Sequence, residues 1–159
     1  MKTQDEKPSW LQHFPIMFYT VVMGLGGLAL AYERLNLIFD ISGAVFEILR
    51  GAASLAYALI CACYAAKLIK YPGACKAEFF HPVRVNFFAA FSIGTLLVAS
   101  LWRDFAPVYD ALFCAGTAFQ TFITLHVVSF WIKNNVQIAH SNPAWFIPIV
   151  GNLFVPLTT

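Results

Sequence analysis

The residues able to do chemistry are few and widely scattered. Four cysteines stand at positions 61, 63, 75 and 114. Cys61 and Cys63 are two apart, so on a helix their side chains diverge by about 200° and cannot chelate one metal together. Free, buried thiols are the expectation for all four. Of the four histidines, only His126 sits well inside an apolar run; His13, His81 and His140 lie near the ends of runs. Haem ligation in a membrane helix bundle takes two histidines facing each other at one depth, and His126 lacks a deep partner. As a lone polar residue on a helix it is expected to hydrogen-bond a neighbour. Glu47 and Arg50, three apart, fall on one helix face and read as an interfacial ion pair. No catalytic, metal or cofactor residue is assigned, and an enzyme is not expected. What remains is a set of small or helix-bending residues inside apolar runs: Gly24, Gly26 and Gly27; Asn86, Ser92 and Gly94; Pro148, Gly151, Asn152 and Pro156. Such residues let backbones approach closely or leave a passage between helices.

The elements that position them are membrane helices. Of 159 residues, 60% are hydrophobic and 11% charged, and mean hydropathy is +0.70. Soluble domains carry about 45–50% apolar and about 25% charged residues. Nucleic-acid binders, disordered tails and secreted disulfide scaffolds are thereby excluded, and no nucleic-acid partner is expected. A bilayer core takes about 20 apolar residues of helix. Charge-free runs cover 14–32, 51–66, 85–102, 111–132 and 141–159. They predict spans over about 14–33, 44–69, 83–102, 107–132 and 143–157, in a single partial transmembrane domain, 1–159. The first run is too long for a signal peptide, and its leader carries Asp5 and Glu6. With the N-terminus inside, the inner segments hold seven basic residues (Lys2, Lys7, Lys67, Lys70, Lys76, Arg84, Lys133) and the outer ones three (Arg34, Arg50, Arg103). This bias predicts a multi-pass protein of the plasma (inner) membrane with a cytoplasmic N-terminus.

Three spans open alike, on a proline followed by aromatics: His13-Phe14-Pro15, His81-Pro82-Val83-Arg84-Val85-Asn86-Phe87-Phe88, and Asn142-Pro143-Ala144-Trp145-Phe146. Proline suits a first helical turn. The repeating unit is therefore read as a helical hairpin, used two and a half times. The odd spans also carry the interior glycines, amides and prolines, whereas the even spans have one clear mid-span glycine, Gly116. Irregular backbone at membrane depth is tolerated only against protein or a water-filled cavity. Odd helices around a pore with even helices facing lipid is one reading; tight packing through small residues is the other. The pore reading makes Gly24, Gly27, Ser92, Gly94, Gly151 and Asn152 the lining candidates. Arg84 at the inner mouth would either concentrate anions or snorkel as a positive-inside anchor.

His81 to Phe88, Asn142 to Pro148, and His13-Phe14-Pro15 with the glycine run 22–28 resemble the slow-type anion channel and tellurite-resistance family, which also includes proteins called C4-dicarboxylate transporters. The resemblance covers nearly all of this chain and about the first half of a family member. It implies an all-α membrane protein with ten helices in five hairpins of quasi-fivefold symmetry, odd helices lining a central pore. It also implies a homotrimer with one pore per subunit, and passage of small inorganic anions such as chloride and nitrate. This chain would supply four complete helices and the start of a fifth. The family's plugging phenylalanine lies on a ninth helix; Phe87 and Phe88 do not match its position. The leading expectation is an anion channel or its N-terminal half. A tellurite or dicarboxylate exporter is the alternative, disfavoured by the scarcity of intramembrane ionisable groups. A non-functional truncated fragment is a further one.

Overall fold

The computed structural model describes residues 10–39, 42–133 and 143–158. Lys2, Asp5, Glu6, Lys7, His140, Ser141, Asn142 and Thr159, which entered the reading above, lie outside the described residues. Helix is the only regular structure among those described: α1 (Tyr19–Phe39), α2 (Ala44–Lys70), α3 (Pro72–Phe79), α4 (Phe88–Leu101), α5 (Ala106–Lys133) and α6 (Phe146–Leu157). Four stretches are long and apolar enough to cross a membrane: Ile16–Phe39, Ala44–Lys70, Arg84–Leu101 and Ala106–Lys133. The chain is an all-α membrane protein.

The three odd spans share a local structure at their openings. Each is entered through a short 3-10 turn beside its proline: Ile16–Phe18 before α1, Arg84–Phe87 before α4 and Pro143–Trp145 before α6. The even spans α2 and α5 are not preceded by such a turn. α1 runs six residues past the expected span 14–33 and so carries Arg34 in its last turns. α3 was not anticipated. Pro72 at its first position starts it, where a missing N–H costs nothing.

α4 is the centre of the bundle. Helices α1, α2, α5 and α6 all pack on it, and 78% of its span is buried, against 11% for α2 and 22% for α5. α2 and α5 are apolar around most of their circumference, which suits helices whose solvent is lipid. α1 buries the narrow stripe Tyr19, Val22, Gly26 and Ala29, a three-four spacing that turns one face to its neighbours.

The glycines mark where helices meet. A Cβ at Gly26 would stand 3.1 Å from Leu97 Cβ on α4, and one at Gly116 would stand 3.0 Å from Leu96 Cγ and Cδ2, whereas Gly24 has nothing within 4 Å. Gly26→Ala is therefore expected to destabilise by about 1–3 kcal/mol through overpacking. Gly24→Ala is expected to be neutral or mildly stabilising, since alanine is favoured over glycine in helices by about 1 kcal/mol. Thermal unfolding of the two variants in detergent checks the contrast, and equal effects would contradict the packing of α1 on α4.

Candidate functional site

Three groups of polar or small residues stand out, and five of the six lining candidates divide between two of them. Gly24 and Gly27 lie on the exposed face of α1, with no atom within 4 Å of where a Cβ would be at either. With Thr20 and Ala31, also exposed, they form a strip of small side chains opposite the buried stripe. This strip brings α1 backbone to the surface at membrane depth.

The second group is a hydrogen-bonded node joining α4, α5 and α6. Its hub is Gln120, fully buried near the middle of α5. The Ser92 hydroxyl of α4 donates to Gln120 Oε1. Gln120 Nε2 donates to the Pro148 carbonyl of α6 at 2.8 Å and to Thr124 Oγ1 at 3.1 Å. Asn152 Nδ2 donates to Thr124 Oγ1 and to the Pro148 carbonyl, each at 3.2 Å. Gly151 lies directly beneath the Gln120 carboxamide, 2.6 Å from its carbon if a Cβ were present. The structure thus brings Ser92, Gly151 and Asn152 together through Gln120 and Thr124. Ser92 and Gly151 are buried and Asn152 is exposed. Gly94 is separate: it is buried on α4, where a Cβ would meet Val22 at 3.4 Å.

Gln120 was not among the sequence candidates. The available signal was an uncharged amide near the centre of the fourth apolar run. An amide there must find partners, because lipid offers none.

The third group gathers at the basic end of the bundle, where α1 begins and α2 ends. Lys67 and Glu78 form a buried ion pair at 3.0 Å. Lys67 Nζ also donates to the Phe14 carbonyl at 2.7 Å, and the Tyr64 hydroxyl donates to Glu78 Oε2 at 3.3 Å. Arg84, the inner-mouth candidate, has an exposed side chain whose Nη1 stands 3.9 Å from Glu78 Oε1. Lys67, counted with the surface anchors above, is only 1% exposed. Its ammonium ties α2 to α3 and to the segment before α1.

The remaining candidates behave locally. Arg50 pairs with Glu47, and its guanidinium lies 4.8 Å from the Trp102 ring centre. The four cysteines are free, but only Cys75 is buried and Cys114 is exposed. His126 stacks on Phe79 with ring centres 4.3 Å apart. Its buried Nε2 has no hydrogen-bond partner among the described residues, contrary to the neighbour bond expected. Among the described residues no three His, Cys, Asp or Glu side chains could hold a metal ion.

Residues 13–159 match the family model described as voltage-dependent anion channel. The chain is 30% identical over 142 residues to a tellurite resistance protein TehA homolog of Haemophilus influenzae, an alignment covering 88% of this chain and 43% of that protein. It is 27% identical to the guard cell S-type anion channel SLAC1 of Arabidopsis thaliana, covering 94% of this chain and 29% of the plant protein. It is also 27% identical to an uncharacterized transporter of Methanocaldococcus jannaschii, covering 94% and 45% respectively. The chain spans less than half the length of each of these relatives.

Proposed function

The chain belongs to the voltage-dependent anion channel family, and on that premise we propose that it supplies the N-terminal part of a membrane pore passing small inorganic anions down their gradient. The observation that carries this reading is the exposed small-residue strip of α1 at Gly24 and Gly27, where a Cβ would meet open space. A strip of that kind leaves room for an ion. Conduction also needs binding weak enough to release it. Neutral donors meet that requirement better than a fixed charge. Asn152, exposed at the edge of the node, is the amide nearest to such a role, with Ser92 and Gly151 shaping the wall behind it, while Gly94 lets α4 approach Val22 of α1. Arg84 at the basic end raises the local anion concentration.

The positive bias of that end supports a cytoplasmic N-terminus in a plasma membrane. The reading includes a homotrimer with one pore per subunit, which rests on the family resemblance alone. A second reading is a coupled exporter of tellurite or a dicarboxylate; the name of the Haemophilus relative, a tellurite resistance protein homolog, favours tellurite. The polar side chains meeting in the α4–α5–α6 node are hydroxyls and amides, which favours passive flow over a proton relay.

The test is anion flux into vesicles bearing the complete protein. Gly24→Leu, placed in open space, is expected to fold normally. An added barrier of about 1.4 kcal/mol slows permeation about tenfold. Unchanged chloride and nitrate flux in a folded Gly24→Leu protein would remove α1 from the pathway. Flux abolished by collapsing the proton gradient would favour the exporter.

A further inference from the structure

α2 and α5 both lean on α4 but scarcely touch each other. Between them lies a cavity of about 680 Å³, open to the surroundings. This is within the range of about 300–1,000 Å³ typical of small-molecule sites. Its floor and walls are aromatic: Tyr19, Tyr57 and Tyr64 with Phe88, Phe91 and Phe119. The three phenol oxygens are all engaged by protein. Tyr19 donates to Cys61 Sγ at 3.4 Å, Tyr57 shares a 2.8 Å hydrogen bond with Thr95, and Tyr64 donates to Glu78. With its hydroxyls tied back, the groove offers ring faces and little polar surface, so it suits a chain of methylenes rather than a hydrated anion. One end differs. Helix α3 closes it, and Lys76, exposed, stands on its rim. Residues 67–84 around that end hold Lys67, Lys70, Lys76 and Arg84 against the single carboxylate of Glu78.

We propose that the groove between α2 and α5 is a binding site for an anionic phospholipid, with an acyl chain along the tyrosine and phenylalanine rings and the phosphate at Lys76. An apolar tail matches the groove, and a negative headgroup matches the excess of cations at its end. A zwitterionic lipid satisfies the first requirement and gains little from the second. The site draws on α2, α3, α4, Phe119 of α5 and Tyr19 on the buried face of α1, and not on the exposed Gly24 strip, so it does not depend on the pore reading.

The test uses the complete protein in vesicles holding phosphatidylcholine with a minor fraction of photoactivatable lipid. The diazirine sits in the acyl chain, and the headgroup is either phosphatidylglycerol or phosphatidylcholine. Adducts with the glycerol lipid are expected on α2 and α3 peptides. They should exceed those of the choline lipid by about fivefold, the factor one lysine supplies near anionic lipid. Lys76→Gln should erase that preference, and Ala65→Trp, which fills the groove from an exposed position, should erase the adducts themselves. Equal labelling by the two lipids would overturn the proposal. So would adducts spread evenly over α1 and α5 and indifferent to Ala65→Trp. Cross-links between two copies of the chain through groove residues, in place of lipid adducts, would assign the groove to a subunit contact and overturn it as well. Both substituted positions are exposed, and an unchanged elution volume confirms that each variant is folded.

Discussion

Glu78→Ala is expected to destabilise the protein by about 3–5 kcal/mol, the cost of stranding a buried charge. Lys67 is left with the Phe14 carbonyl as its only polar contact among those described, and a carbonyl does not neutralise an ammonium. Lys67→Met should cost less. Glu78 then keeps the Tyr64 hydroxyl and the nearby Arg84 guanidinium. The double replacement Lys67→Met with Glu78→Leu should recover most of the loss, because removing both charges of a buried pair is often neutral or stabilising. Denaturation midpoints of the parent, Lys67→Met, Glu78→Leu and the double variant in one detergent form the required cycle. A Glu78→Ala midpoint within experimental error of the parent would mean that the pair is solvated and does not tie α2 to α3.

Gly151→Ala is expected to have the second large effect. A single methyl group there would lie too close to the Gln120 carboxamide. Either α6 moves off α5 or the amide turns away, releasing the Pro148 carbonyl and Ser92. Overpacking of this kind costs about 1–3 kcal/mol, and leaving a buried polar group unsatisfied adds about 1–3 kcal/mol. Gln120→Ala alone removes the hub but leaves room. In combination with Gly151→Ala it should therefore rescue part of the loss, with a coupling of about 0.5–3 kcal/mol between touching residues. Strict additivity in thermal unfolding would contradict the contact. Anion flux through the Gly151→Ala protein, measured below its unfolding temperature, reports whether the node also shapes the pathway.

The spans and their openings were legible because hydropathy runs and proline positions are one-dimensional signals. The like openings read at Pro15, Pro82 and Pro143 reappear as three 3-10 turns at the same places. What escaped depends on angle and partner. Gly24, Gly26 and Gly27 look alike in sequence, yet a helix turns about 100° per residue, so only Gly26 meets α4. Hydropathy does not separate a helix immersed in lipid from one surrounded by protein, so the central place of α4 was hidden. Lys67 read as an anchor because Glu78, eleven residues on, comes beside it only when α3 folds back. Gln120 carried a faint signal, one amide in an apolar run, that ionisable-group reasoning passes over.

The hydroxyls of α4 bear on how this protein is made. Ser92, Thr95 and Ser100 lie buried in the finished bundle, but each also donates to a carbonyl of its own helix: Ala89, Phe91 and Leu96, at 2.9, 2.8 and 3.1 Å. Such bonds need no neighbouring helix. A nascent third segment leaving the translocon can therefore rest in lipid with its hydroxyls satisfied before α5 and α6 have been synthesised. Once α5 is in place, the single Ser92 proton can turn from the Ala89 carbonyl to Gln120 Oε1, which stands within hydrogen-bond reach of the same hydroxyl. The most enclosed helix of the assembly is thus equipped to wait for the partners that will enclose it.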